Sequence, residues 1–398
     1  MILSKLRSHC LDLRIDVRQL LALLKDSRTP TELRAYKRRI IKICTFLEEK
    51  LDKILSNIDL DHNELAEDIL SDIQQVTGYM RVVNARFAAP ILRASDADRL
   101  SLSVVNWLHS NHQETKAFPP AVGDGNVSVW PTFPHVYQFP QLERRGLLYQ
   151  PLLFHEFGHV LYFRHKKEMD DLVAELQKDI ADLIFPLFQR NDRHSEIQAQ
   201  RRQLVVDTWY SWTQELFCDA VGLRLGGPSF LYAFSSYLGT VSGNDFYRKV
   251  RDLELSDHPV TWLRVHFLAK KARITGFDRL AGSIEDEWNV LAQTMQVRED
   301  YHGFYAKVLE KAVWDTIENM LIEAEPRPCT KSEVELDDWK IGDSPIKLVN
   351  LAWHHKKQDT TASYAKWEEK YIKKYLNQIV ENEWPDDLEF QGNLTMVS

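Results

Sequence analysis

Cysteine is scarce, and the cysteines present are scattered. The 398 residues hold only Cys10, Cys44, Cys218 and Cys329, with no CxxC pair. That excludes a disulfide framework and a cysteine-built zinc site. Long apolar runs are missing as well: Phe230 to Leu238 comes nearest, well short of the roughly 18 residues that span a bilayer. The stretch from Met1 to Lys25 has no uncharged h-region, because Lys5, Arg7, Asp12, Arg14, Asp16 and Arg18 interrupt it, so no secretory signal is expected. Nor is there a basic excess. A net charge of −8 and a pI near 6.0 argue against a general nucleic-acid binder, which must neutralise phosphates. Lys37-Arg38-Arg39 is a short basic cluster, but it falls within an amphipathic stretch, so it reads as a solvated helix face. These absences lead us to expect a cytoplasmic protein in a reducing compartment, without a membrane span and without nucleic acid as partner.

What is present suits a folded protein with a sizeable core: 44% hydrophobic and 27% charged residues are ordinary values for that class. The expected fold is mainly α with a small β-sheet (α+β). Residues 1–95 form an N-terminal helical region, with Leu13, Leu20, Leu24, Ile40, Cys44, Leu47 and Leu51 at helical spacing. Leu100–Val105 and Asn126–Trp130 read as short strands around a Gly-Asp-Gly turn at 123–125. A motif helix follows over Gly146 to Phe163, then an inserted helical hairpin at about 166–203, broken near Pro186 and Asn191. A strong helix over Leu204–Leu225 stops at Gly226-Gly227-Pro228. Residues 96–275 are taken as the core domain and 276–398 as a C-terminal helical region, irregular from Pro326 except around Tyr364 to Ile379.

The chemistry concentrates in His155-Glu156-Phe157-Gly158-His159, an HExxH motif in an apolar run. On a helix, residues four apart lie only about 40° from eclipsed, so both imidazoles face the same way. Two neutral imidazoles so placed grip one Zn²⁺ and leave room for a third ligand and a water. Glu156 then reaches that water as a general base. In a chain with 14 histidines the pentapeptide alone is weak, so the case turns on a third ligand.

Two residues compete for that position. His165 has the spacing of HExxHxxGxxH sites, but Tyr162 stands where their glycine would be. On a continuing helix His165 lies about 240° round from His159 and faces away. Glu215 is the better candidate. It shares a helical face with Asp219, flanked by Trp209, Trp212, Leu216 and Leu223. Two carboxylates aimed into an apolar interior need a cation there. One zinc ion on His155, His159 and Glu215, with Asp219 accepting from the far nitrogen of one imidazole, meets that need. The alternative is a solvent-facing acidic pair.

HExxH followed by ExxxD on a later helix resembles the gluzincin class of zinc metallopeptidases. A third block, Asp257-His258-Pro259-Val260-Thr261-Trp262-Leu263-Arg264, is similar to the His-Pro segment of the family of the heat-shock protease HtpX and the CAAX prenyl proteases. The three blocks come in that family's order and cover some 20 residues. The resemblance implies a zincin-like core and His258 as the donor to the tetrahedral oxyanion; Tyr162 is a substitute from the motif helix. Arg264 orients Glu215, meets a substrate carboxylate, or makes a structural ion pair. That family is largely membrane-embedded, whereas this chain has no span and carries foreign helical arms. Catalytic machinery is therefore expected to carry over, and membrane substrates are not.

The reading is a zinc metallopeptidase acting on a peptide or protein substrate through a zinc-activated water, with Glu156 as base and Zn²⁺ as its one cofactor. The alternatives are a catalytically silent zincin-like scaffold, which binds a regulatory protein partner through its helical arms, and a hydrolase of non-peptide amides.

Overall fold

The computed structural model describes residues 2–59, 66–184, 195–241, 256–294, 303–378 and 384. It is mainly α with one small mixed sheet. The chain divides into two compact units, one running through Gln141 and the other Leu142–Gln378.

The first unit begins with α1 (Ile2–Asp26) and α2 (Arg34–Asp59). Leu3, Leu6, Cys10, Leu13, Val17, Leu20 and Leu24 are buried along α1, a repeat of three and four that makes a single apolar stripe. It packs on the matching stripe of α2. Arg7 pairs with Asp59 at 3.1 Å and Arg14 with Asp52 at 2.8 Å, so the two helices run antiparallel. α3 (Ala66–Val82), α4 (Ala89–Leu92) and α5 (Arg99–Ser110) follow.

α5 corrects the strand expected at Leu100–Val105. That run is buried on nearly every side, so its composition shows no period with which to tell a strand from a buried helix. The deciding signal is local: Ser95 and Asp98 form a capping box one turn upstream, which starts a helix. The sheet comprises β1 (Ala121–Gly123), β2 (Ser128–Trp130) and β3 (Val136–Gln138) in the order β1-β3-β2. β3 pairs parallel to β1 and antiparallel to β2, and β2 falls within the strand expected at Asn126–Trp130.

The second unit is helical. α6 (Leu152–Arg164) is the motif helix. It starts after Pro151 rather than at Gly146, because the preceding segment spends its backbone groups elsewhere. The Leu147 N–H donates to Glu368 (2.7 Å), the Trp353 indole donates to the Leu148 carbonyl (2.8 Å), and the Gln150 amide donates to the Gly146 carbonyl (2.9 Å). α7 (Lys166–Ile184) and α8 (Ser195–Gly226) follow; the break expected near Pro186 and Asn191 lies outside the described residues. α8 begins well before Leu204, so the return arm of the expected hairpin is the first part of the second ligand helix. Gly227, at φ +57, ends α8 in the left-handed region that suits glycine.

α9 (Pro228–Val241), α10 (Thr261–Ile274), α11 (Asp278–Thr294) and α12 (Glu310–Ala324) come next. Then follow α13 (Lys331–Val334), α14 (Pro345–Gln358) and α15 (Thr361–Asn377). α14 occupies sequence expected to be irregular. Its start is encoded by Ser344, whose side chain accepts from Lys347 N, with Pro345 at the first helical position. α6, α7, α9, α10 and α12 all pack against α8, which makes α8 the axis of this unit.

Candidate metal centre

The sequence of α6 is apolar all round, so the helix is sunk in the unit. Leu152 to Tyr162 are buried apart from His159, which is intermediate. α6 and α8 approach closely because Gly158 has no side chain: a Cβ there would lie 2.8 Å from Cys218 Cα. That contact sits between His155 and His159 on one helix, and between Glu215 and Asp219 on the other. The ligand-bearing faces are thus pressed together.

One ligand atom from each of His155, His159 and Glu215 lies within 4.8 Å of the other two. Nε2 of His155 is 3.4 Å from Glu215 Oε2, and Nε2 of His159 is 3.4 Å from Glu215 Oε1. Ligands around a tetrahedral ion with bonds of about 2.0–2.1 Å stand roughly 3.3 Å apart. The arrangement therefore suits a shared cation. A second observation agrees: Glu215 Oε2 is buried and accepts no hydrogen bond, although Arg264 Nη2 is 3.2 Å away. That guanidinium supplies part of the positive charge a buried carboxylate needs, and a metal ion between Glu215 and the two imidazoles would supply more.

Around these three stand the supporting groups. His155 Nδ1 lies 2.8 Å from Asp219 Oδ1, yet the alignment falls short of a hydrogen bond. A small rotation of the ring restores alignment at that distance. Arg264, buried on α10, donates twice to Asp219, from Nε (2.8 Å) and Nη2 (2.7 Å). Its guanidinium also lies over the Phe234 ring at 4.8 Å, and Phe234 stacks on His155 with centroids 5.9 Å apart. Of the roles open to Arg264, the ion pair is the one its geometry makes.

The electrostatics follow from burial beside carboxylates. Burial opposes charge on His155, but Asp219 and Glu215 overcome it and raise its pKa to about 10. Glu215 is held well below the usual carboxylate range: burial works the other way, and His155, Arg264 and His159 outweigh it. The two carboxylates thus draw positive charge onto an imidazole, a demand that a metal ion would equally meet. Burial lowers His159 to about 4 in spite of Glu215. It raises Glu156 to about 7, with His155 opposing, and a pKa near neutrality suits a group that takes and returns a proton.

The other candidates fall outside the three-residue group. His258 precedes α10 at the solvent edge, its side chain 55% exposed and its Nε2 3.5 Å from Glu215 Oε2. His165 follows α6 directly and pairs with Glu323 at 3.5 Å. The Tyr162 hydroxyl donates to Asp170 at 2.8 Å, which commits it to α7. Asp170 also accepts from Tyr210 of α8 at 2.8 Å, so one carboxylate ties α6, α7 and α8 together.

Sequence reasoning missed Gln214, whose amide lies 3.3 Å from His159 Nδ1; its position beside Glu215 was the available signal. It also missed Phe234 and Tyr237 of α9. Tyr237 is half-buried, and its phenol is pushed up by burial and by the charge of Glu156, with Arg264 opposing. Neither residue has a motif spacing that would reveal it.

No family model, curated protein or solved structure matches the chain. The site itself is what points to function. Its donor set, two imidazoles and one buried carboxylate, fits a metal ion.

Proposed function

We propose that the protein is a zinc-dependent metallopeptidase that hydrolyses peptide bonds, with Glu156 as general base. The observation that carries this reading is the convergence of His155, His159 and Glu215 within 4.8 Å beside a carboxyl group that titrates near neutrality. The His₂Glu donor set favours zinc, and it is a set found at hydrolytic zinc. The order of the three blocks, which resembles the HtpX and CAAX prenyl protease family, supports the same chemistry. Among the described residues no helix is long and apolar enough to cross a membrane, so the proposed substrates are peptides or proteins outside the bilayer. Free cysteines at 10, 44, 218 and 329 suit a reducing cytoplasm.

Zinc held by His155, His159 and Glu215 would supply a Lewis acid that polarises the scissile carbonyl and makes water more acidic. Glu156 takes the proton from the attacking water and passes it to the leaving amine. Asp219, clamped by Arg264, holds the His155 ring from behind. His258, at the solvent edge with Nε2 3.5 Å from Glu215 Oε2, is the group suited to donate to the developing oxyanion.

A silent metal-binding scaffold is the second reading, and one observation favours it: Glu156 is only 5% exposed, which leaves little access for substrate. Metal analysis with a peptide-library cleavage assay separates the two. Peptidase activity requires that wild type bind zinc and cleave, that Glu156→Gln keep zinc and lose cleavage, and that Glu215→Ala lose zinc. Zinc retained by wild type and Glu156→Gln, with cleavage by neither, refutes the peptidase and leaves the scaffold.

A further inference from the structure

The ligand helices treat their two imidazoles unequally. His155 turns Nδ1 to the Asp219 carboxylate at 2.8 Å. His159 turns Nδ1 to a neutral amide, Gln214, at 3.3 Å. Both second partners come from α8, where Gln214 precedes Glu215 and lies one turn before Cys218, the residue in closest approach to Gly158.

The tautomer of His159 decides which end of that amide it needs. A neutral imidazole carries one ring proton. In the structure the Gln214 Nε2 faces Nδ1. With the NH₂ end of the amide toward the ring, Nδ1 accepts, and the tautomer that fits carries its proton on Nε2, on the side of Glu215 Oε1 3.4 Å away. A metal ion at Nε2 needs that lone pair free, which moves the ring proton to Nδ1. Nδ1 then donates and requires an acceptor, which Gln214 supplies through Oε1 once the amide turns over. The ring keeps one proton in both states, and only its position changes.

We infer that Gln214 is a positioning residue for His159, its side-chain amide serving both the metal-free and the metal-bound tautomer by turning over. A carboxylate at 214 accepts only and suits the metal-bound form alone, while crowding Glu215 in the metal-free form. An aliphatic side chain serves neither. This inference rests on the metal-centre reading and is independent of peptidase activity.

Zn²⁺ affinity, measured by competition with a chromophoric chelator, tests it in the full chain. Gln214→Leu is expected to lose about 10–100-fold in affinity, the usual effect of removing such a partner. Gln214→Glu is expected to match or exceed wild type, yet to melt at a lower temperature than wild type when metal-free. Those opposed orders for the Glu variant would not arise from a packing role. Gln214→Met gives the same comparison if the Leu variant does not fold. Zinc binding by the Leu or Met variant within about twofold of wild type overturns the inference, where an ordinary orienting partner is worth at least tenfold. So does a folded Glu variant that binds more weakly than wild type. Failure of wild type to bind zinc is a different result: it removes the metal centre itself, and this inference with it.

Discussion

Gly158→Ala is the sharpest test of how this chain brings its candidate ligands together. The added Cβ would lie 2.8 Å from Cys218 Cα, 3.0 Å from its Cβ and 3.1 Å from its Sγ, whereas carbon atoms rest comfortably at about 3.5–4.0 Å. The nearest atom is backbone, so no side-chain rotation relieves the clash. α6 and α8 must part by roughly 0.5–1 Å, at a cost of about 1–3 kcal/mol typical of overpacking. The displacement falls between His155 and His159 on one side and Glu215 and Asp219 on the other. Nitrogen–oxygen separations of 3.4 Å would then open beyond what a tetrahedral ion bridges with bonds of about 2.0–2.1 Å. Two readouts are expected to move together: a lower denaturation midpoint for the metal-free protein, and weaker Zn²⁺ binding by chelator competition. Adding Cys218→Ala removes only the contact at 3.1 Å and is not expected to rescue either. Gly282→Ala, on α11 with nothing within 4 Å of the added atom, serves as control and is expected to stabilise by about 0.5–1 kcal/mol. If Gly158→Ala folds with unchanged stability and unchanged zinc affinity, the close-approach argument is wrong.

Other outcomes follow from the same geometry. If the peptidase reading holds, His258→Ala removes the donor at the solvent edge; kcat is expected to fall by about 10²–10³-fold with zinc content little changed. An unchanged kcat excludes His258 as oxyanion donor. Far from the centre, Glu333 is held below the usual carboxylate range: burial opposes this, and bonds from Arg327, Ser344 and the Thr330 N–H outweigh it. Because the folded pKa lies below the unfolded one, its stabilisation is present above the unfolded value and fades as pH falls through the folded value. Wild type should therefore lose more stability than Glu333→Gln between about pH 5 and 3, read by denaturant titration at each pH. Parallel losses in the two proteins would show that Glu333 contributes nothing to acid sensitivity.

Parts of this architecture are legible in the residues because their physics is local. The apolar stripes of α1 and α2 repeat every three or four positions, and HExxH places two imidazoles on one helical face whatever surrounds it. The ExxxD pair could be read by a cost argument, since carboxylates among tryptophans demand a cation. α5 was misread as a strand because a helix buried on nearly all sides has no polar face to betray its period; the Ser95–Asp98 box was the better guide. α14 was missed although Ser344-Pro345 announces it.

By itself, then, the sequence determined the mainly helical character, the motif helix and the candidate ligands, all consequences of short-range spacing and side-chain chemistry. Tertiary structure alone decided that α6 and α8 meet at Gly158, that Gln214 faces His159, that Phe234 contacts both His155 and Arg264, and that Tyr162 is committed to Asp170. Those pairings join residues on separate helices. No spacing along the chain encodes them, because they depend on which helix faces are pressed together when the unit packs.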